Sequence, residues 1–311
     1  MIVSSNQVRE HRQKCASCAG TSLELALQLY DQEQVQTSPY QLVRCPQCAL
    51  EFIGDPVTRE NIFQHYPTDS GAYASELGDS ISLVKRCLFW LDARLLLRHL
   101  RAGDAVLDVG AGLGTFAHYL TKKGFKVVAT DFVNEQAWAR KTVPYLQVDL
   151  NQTDLPEVKI LNKLGGAPKA IVLRHVLEHV YEPAQLIHNL AQLKPDYFLI
   201  MVPNGDSVFR FLFGRHWGFF DPPRHLSNFN RRSLSYILNS AGYGSIQTAT
   251  YGMDETVISI YRASRGWTSS FRKWFSWTSK AMLVSSALSL FFARSVLVVL
   301  AKRSDPSVFS S

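Results

Sequence analysis

The sequence predicts an α/β fold: a mostly parallel sheet, a small cysteine-rich module in front of it, and a helical insertion before its last strand. Three observations predict this. A β-branched apolar run leads at once into Gly110-Ala-Gly112-Leu-Gly114 and a helix-spaced segment, two C-x-x-C pairs lie near the N-terminus, and a basic, aromatic stretch lies late in the chain. With 311 residues, 46% of them apolar and 19% charged, the chain suffices for one full enzyme domain plus an appendage, and is neither disordered nor fibrous. The net charge is +7, and its distribution is uneven: residues 1–103 hold 10 basic and 11 acidic groups, residues 104–203 hold 10 and 10, and residues 204–311 hold 13 and 5.

The first ten residues contain no apolar core flanked by basic residues, so no export signal is expected and the cytoplasm is the expected compartment. Cysteines there stay reduced, which turns Cys15-Ala-Ser-Cys18 and Cys45-Pro-Gln-Cys48 from a disulfide framework into a metal site. A C-x-x-C turn converges two thiolates on one ion, and two such turns close a tetrahedral Zn²⁺ site, so structural zinc on Cys15, Cys18, Cys45 and Cys48 is the expectation. The 26 residues between the pairs exceed the usual ribbon spacing, but Leu23–Tyr30 and Tyr40–Val43 fit two strands with a polar tip at 31–38. A redox role is disfavoured because neither pair opens a helix after a strand. Cys87, alone in an apolar helical run over 81–100, is expected in the core.

Ala105–Val109 reads as a strand, Gly110–Gly114 as a tight loop and Thr115–Lys123 as a helix; Phe125–Thr130 reads as a second strand ending in Asp131, which lies 21 residues after Gly110. Glycines let the backbone turn sharply and approach a ligand, and a carboxylate at that distance suits a ribose hydroxyl. A nucleoside-containing ligand is therefore expected. Thr115 stands where a dinucleotide fingerprint needs its third glycine, and Asp108 lies inside the first strand, so a pyrophosphate is poorly catered for.

These residues resemble the class I S-adenosylmethionine (SAM)-dependent methyltransferases, whose first motif is similar to Val106-Leu-Asp-Val-Gly-Ala-Gly-Leu-Gly114. Tyr145-Leu-Gln-Val-Asp149-Leu150 resembles the third strand, with the acid that sits by the adenine amine. Ala170-Ile-Val-Leu-Arg-His-Val-Leu-Glu-His-Val180 resembles the fourth strand and its turn, and 193–204 the fifth, with Asp196-Tyr197 where the family has a glycine. A cysteine-rich N-terminus together with Asp221-Pro-Pro-Arg-His225-Leu-Ser-Asn-Phe229 resembles a bacterial subfamily, of the methyltransferase domain 23/11 type, that acts on small metabolites, sugars or cell-envelope intermediates. The resemblance spans about 15–250 plus a last strand near 295–302. It implies a Rossmann-like, seven-stranded, mostly parallel sheet behind a zinc-ribbon-like module. It also implies SAM as cofactor, held by Asp108, Gly110, Gly112, Gly114, Asp131, Phe132, Asp149 and Leu150, with Arg174 and His175 facing its methionine part.

His175-Val-Leu-Glu178-His179 also spells H-x-x-E-H, an inverted zinc-peptidase motif. That motif needs one long helix, whereas His175 directly follows an apolar strand and Pro183 stands four residues after His179, so a peptidase is rejected. Glu178 and His179 are instead expected either to face the acceptor or to fix the loop. His225, next to Pro222-Pro223, is the first candidate for a base, with the alternative that it and Arg224 pair with Asp221 or Glu178 to hold a lid. Tyr66 and Tyr73 are expected either to close over the cofactor or to pack the helix that follows.

Trp267, Phe271, Trp274 and Trp277 recur at spacings of four, three and three, with cations beside them, and Ala281–Ala293 adds thirteen apolar or small residues, too few to span a bilayer by about seven. Three readings of this stretch stay open: peripheral contact of 266–293 with an anionic membrane on its inner face, a cover for the substrate pocket or a dimer contact, and, least favoured because Arg294 would lie inside it, a span extended through Ser295–Ala301. The expected division is 1–55 for the zinc module, 56–253 for the SAM-binding domain, 254–294 for the basic insertion and 295–303 for the last strand. The expected activity is methyl transfer to a small-molecule, sugar or lipid-linked acceptor by direct displacement. The alternatives weighed against it are a catalytically silent scaffold, an RNA methyltransferase gripping with the zinc module and the tail, and an NAD-dependent oxidoreductase. A nucleic-acid partner is disfavoured because the patch is apolar on its face rather than a charged groove.

Overall fold

The computed structural model describes residues 8–31, 38–66, 83–132, 143–151, 155–252, 259, 262 and 294–304. Tyr73 and the 266–293 segment lie outside the described residues, as does most of the polar tip at 31–38. Among the described residues no helix is long and apolar enough to cross a membrane.

The elements run in chain order as β1 (Glu24–Leu29), β2 (Tyr40–Arg44), β3 (Glu51–Ile53), α1 (Leu83–Leu97), β4 (Ala105–Val109), α2 (Thr115–Lys122), β5 (Lys126–Asp131) and β6 (Tyr145–Gln147). There follow α3 (Glu157–Leu164), β7 (Ala170–Arg174), α4 (Pro183–Ala191), β8 (Tyr197–Pro203), α5 (Val208–Phe213), β9 (Ser227–Asn228), α6 (Arg231–Ser240), β10 (Tyr243–Tyr251) and β11 (Val296–Arg303). The main sheet has seven strands in the order β10-β11-β8-β7-β4-β5-β6. Strands β6, β5, β4, β7 and β8 pair in parallel and β11 is antiparallel to both its neighbours, which is the Rossmann-like arrangement expected. The strand order reverses between β4 and β7, and ligands of open α/β sheets bind outside the carboxyl ends of the strands at such a point.

Helices cover both faces, so the central strands are buried on both sides and read as unbroken apolar runs rather than alternating ones: Ala170–Leu173 and Phe198–Val202 are all fully buried. The turn into β8 is made by Lys194 at φ +53°, the left-handed conformation for which the family uses a glycine nearby. Helix α1 buries Phe89, Ala93 and Leu96, a stripe with steps of four and three. Cys87 falls off that stripe and is exposed, contrary to the expectation of a core cysteine.

The N-terminal module is a second, antiparallel sheet in the order β1-β2-β3-β9. Strand β9 comes from the chain after α5, so the module's fourth strand is supplied by the domain behind it. Glu51 on β3 fixes this seam, accepting from Arg210 of α5 at 2.6 and 2.7 Å and from Asn228 of β9 at 2.9 Å. On the other flank, Arg12 donates to the Tyr181 carbonyl at 2.9 Å.

Candidate active site at the carboxyl edge of the sheet

The loop after β4 takes its shape from three left-handed residues, Gly110, Gly112 and Gly114, at φ +66°, +55° and +68°. Two of them are needed for different reasons. A Cβ on Gly110 would sit 2.4 Å from Val176 Cγ2, so this glycine lets the turn after β7 pack directly on the loop; a Cβ on Gly112 would meet nothing within 4 Å, so that face is open. Asp131, at the end of β5, fastens the loop: Oδ2 accepts from Gly112 N at 2.7 Å and Oδ1 from Phe132 N at 2.8 Å.

Beneath the loop, Asp108 is fully buried and its Oδ2 has no partner among the described residues. Burial raises it to about 7, with Arg174 opposing and Asp131 adding. Asp149 and Leu150 follow β6 in a turn closed by Asn151 N donating to Asp149 Oδ1 at 3.0 Å. The half-exposed Phe132 ring packs tilted against Phe63 and edge-on against Tyr66, at centroid distances of 5.5 and 6.0 Å. Phe63 was invisible to sequence reasoning because nothing ties residue 63 to residue 132 until the chain folds; Tyr66 was singled out, and the structure gives it a neighbour at each end.

Arg174 lies at the end of β7 and reaches across to α1. Its Nε donates to the fully buried Asp92 of α1 at 2.7 Å, its guanidinium lies over Phe89 and Phe116, and Tyr251 of β10 donates to the other Asp92 oxygen. The guanidinium is thus held by the helix in front of the sheet. The sequence had no means of pairing residue 174 with residue 92.

His175 has φ +53° and its Nδ1 lies 3.3 Å from Glu178 Oε1. Glu178 is fully buried; burial opposes its ionisation, but the His175 bond holds it below the usual carboxylate range. His179 ends a single 3₁₀ turn over Leu177–His179, so H-x-x-E-H does not lie along a helix, as expected. Across from this turn, the loop at 217–225 brings in His225, whose ring packs edge-on against that of His179 at 4.7 Å. The His179 Nδ1 lies 3.1 Å from the Arg224 carbonyl and 3.2 Å from the Tyr66 hydroxyl, and the His225 Nδ1 lies 2.7 Å from the Phe219 carbonyl. Arg224 does pair with Asp221, at 2.9 and 3.1 Å, whereas His225 does not bond the Asp221 side chain.

The four thiols of Cys15, Cys18, Cys45 and Cys48 converge with all sulfurs within 4.8 Å of one another. Cys15–Cys48 and Cys18–Cys45 are each 3.5 Å apart, against the roughly 3.8 Å that four bonds of about 2.3 Å in a tetrahedron require. The two turns are copies of each other: Ala19 and Ala49, each just after its second cysteine, have φ +57° and +62° and donate back to the Cys15 and Cys45 carbonyls.

No curated protein matches the chain. Among solved structures, similarity extends to a SAM-dependent methyltransferase from Archaeoglobus fulgidus, at 17% identity and a TM-score of 0.45 over 70% of this chain and 94% of that one. It extends also to magnesium protoporphyrin IX methyltransferase from Synechocystis PCC 6803 with bound S-adenosylhomocysteine, at 15% identity and 0.48 over 79% and 100%. A third is 1,6-didemethyltoxoflavin-N1-methyltransferase from Burkholderia thailandensis, at 15% and 0.47 over 84% and 97%. A family model described as a methyltransferase domain matches residues 84–248, the stretch that carries the glycine loop, Asp131, the turn after β7 and the loop at 217–225. The chain belongs to this methyltransferase domain family and is a class I SAM-dependent methyltransferase.

Proposed function

We propose that this enzyme moves the methyl group of SAM to a small-molecule, sugar or lipid-linked acceptor by direct displacement, and that its four-cysteine cluster holds a structural Zn²⁺. The observation that carries the reading is the unpartnered, buried Asp108 oxygen under a glycine loop with an open face. A buried carboxylate without a donor is costly, and a cationic ligand relieves that cost.

In this reading Gly110, Gly112 and Gly114 let the backbone approach the ligand, Asp131 receives ribose hydroxyls, and Phe132 with Asp149 and Leu150 borders the adenine. His175 borders the methionine end, and Arg174 reaches it only as far as its pair with Asp92 allows. When bound, SAM supplies a methyl group on a sulfonium, a leaving group that needs no protonation. The chain's own residues have to align the acceptor in line with that carbon and exclude water. Glu178, His179 and His225 sit on the same edge as the glycine loop, connected to it through Tyr66 and Phe132, and are the groups that meet the acceptor and its proton.

Calorimetric titration with SAM, S-adenosylhomocysteine and NAD tests the cofactor. Micromolar binding of the two adenosyl ligands and none of NAD is expected, followed by methyl transfer in a screen of nucleotide-linked and lipid-linked sugars. A folded sample that binds none of the three refutes the reading.

Two further results are expected. Asp108 is ordinarily ionised above 3.8 and here only above about 7, so between these values the folded state holds a proton that the unfolded chain has lost. Its contribution to stability is therefore present below about pH 4 and is lost as pH rises through 7. A cationic ligand favours the ionised form, so SAM is expected to bind more tightly at pH 8 than at pH 6 and to release a proton at pH 6, seen as a binding heat that varies with buffer ionisation. Affinity that stays flat over that range would place Asp108 outside the cofactor site. For the zinc module, Cys15→Ser is expected to remove the ion measured per chain by atomic emission and to loosen the seam at Glu51. Unchanged zinc content in the variant would refute the four-thiolate site.

A further inference from the structure

Glu178, His179 and His225 offer one carboxylate oxygen and two ring nitrogens that lie within 4.8 Å of one another. The state of each group is set by its surroundings. His179 Nδ1 faces the Arg224 carbonyl and the Tyr66 hydroxyl, and His225 Nδ1 faces the Phe219 carbonyl; a carbonyl can only accept, so each Nδ1 carries a proton and Nε2 is the ring nitrogen left to meet a metal. Rings held through one nitrogen by a backbone carbonyl are the usual preparation of histidine for a metal. Glu178 is held in the same manner, with Oε1 anchored by His175, while its Oε2 is fully buried and has no partner among the described residues. A buried carboxylate oxygen without a donor beside two histidine rings calls for a cation.

From this geometry we infer a second metal site, in which Glu178 Oε2 and the Nε2 atoms of His179 and His225 bind one divalent first-row cation and leave positions open for an acceptor. Two imidazoles and one carboxylate suit Zn²⁺, Mn²⁺ or Fe²⁺ rather than Mg²⁺ or Ca²⁺, which prefer oxygen sets. The inference rests on the methyltransferase reading and narrows it to an oxygen acceptor. A hydroxyl of the acceptor takes an open position, where the cation lowers its pKa, and its proton leaves to solvent. The oxygen then forms its bond to the methyl carbon as the carbon–sulfur bond breaks, releasing S-adenosylhomocysteine. This assigns the residues of the H-x-x-E-H string differently from a peptidase: His175 orients the glutamate, and the second histidine ligand comes from 46 residues downstream of His179.

The test is titration of the chelator-treated full chain with Mn²⁺ alone, which thiolates bind weakly, read by electron paramagnetic resonance, with S-adenosylhomocysteine binding measured on the same samples. One Mn²⁺ per chain is expected. Glu178→Gln and His225→Gln are expected to weaken it by about 100-fold or more, His175→Gln, which frees Glu178 Oε1, by roughly tenfold, and Cys15→Ser not at all. Stoichiometry near zero in the folded wild type, or Mn²⁺ affinity within threefold of wild type in a folded His225→Gln, overturns the site. His225 lies on a loop, so this variant keeps the test available if Glu178→Gln does not fold. In the wild type, S-adenosylhomocysteine binding with no Mn²⁺ bound refutes the metal alone; one Mn²⁺ per chain in a wild type that fails to bind S-adenosylhomocysteine supports the metal and refutes the cofactor assignment on which its role depends.

Discussion

Asp92→Ala is expected to cost the fold about 3–5 kcal/mol, the cost of leaving one partner of a buried ion pair uncompensated. The carboxylate is fully buried on α1 and accepts from two directions, the Arg174 guanidinium at the end of β7 and the Tyr251 hydroxyl at the end of β10. Removing it strands a cation between the rings of Phe89 and Phe116 and a phenol whose burial already pushes it well above its ordinary value. Asp92→Asn keeps an acceptor for Tyr251 but no charge for Arg174, so an intermediate loss is expected. Urea unfolding of the two variants gives the order directly. A loss below about 1 kcal/mol for Asp92→Ala would mean that water, or the methionine end of the cofactor, takes over the guanidinium, returning Arg174 to the role the family resemblance implied.

The pair of Arg174 with Asp92 marks where the sequence stops being readable. Strands β7 and β8 were legible because strands buried on both faces need continuous apolar runs, β4 because a β-branched run leads straight into the glycine loop, and that loop because left-handed turns restrict residue choice. The place of Asp131 at the end of β5 was legible from the order strand, loop, helix, strand and acid. The cysteine turns were legible to the residue, including a signal left unused, the alanine after each pair in the same left-handed conformation. Contacts between residues far apart in sequence were not legible: Arg174 with Asp92, Phe63 with Phe132, His179 with His225. Nothing in the local pattern around 227–228 indicates that two residues there complete the sheet of the N-terminal module, since two residues show no periodicity. Cys87 was misplaced for the opposite reason, an apolar-looking segment whose buried stripe is fixed only by what α1 packs against.

Asp131→Ala is expected to weaken SAM and S-adenosylhomocysteine binding by about 100-fold or more while leaving a folded protein. Two effects add. The carboxylate would accept from ribose hydroxyls, and hydrogen bonds to a charged group contribute roughly 1.5–3 kcal/mol each. It also fastens Gly112 N and Phe132 N, so its loss frees a loop whose three left-handed residues already demand a large entropic cost to order. Asp131→Asn separates the two. Its amide keeps one acceptor and turns the other oxygen into a donor facing a backbone N–H, so the loop is disturbed although size is preserved, and binding is expected to fall nearly as far as in the alanine variant. If both variants instead bound within threefold of wild type, charge and loop tension would both be dispensable, and the residue would be a spacer at the end of β5. If only Asp131→Ala failed, one acceptor on the loop would suffice and the ribose would be held elsewhere. Amide hydrogen exchange at 110–114 in the ligand-free variants provides the check on the loop, since freeing the fastening is expected to speed exchange there before any ligand is added.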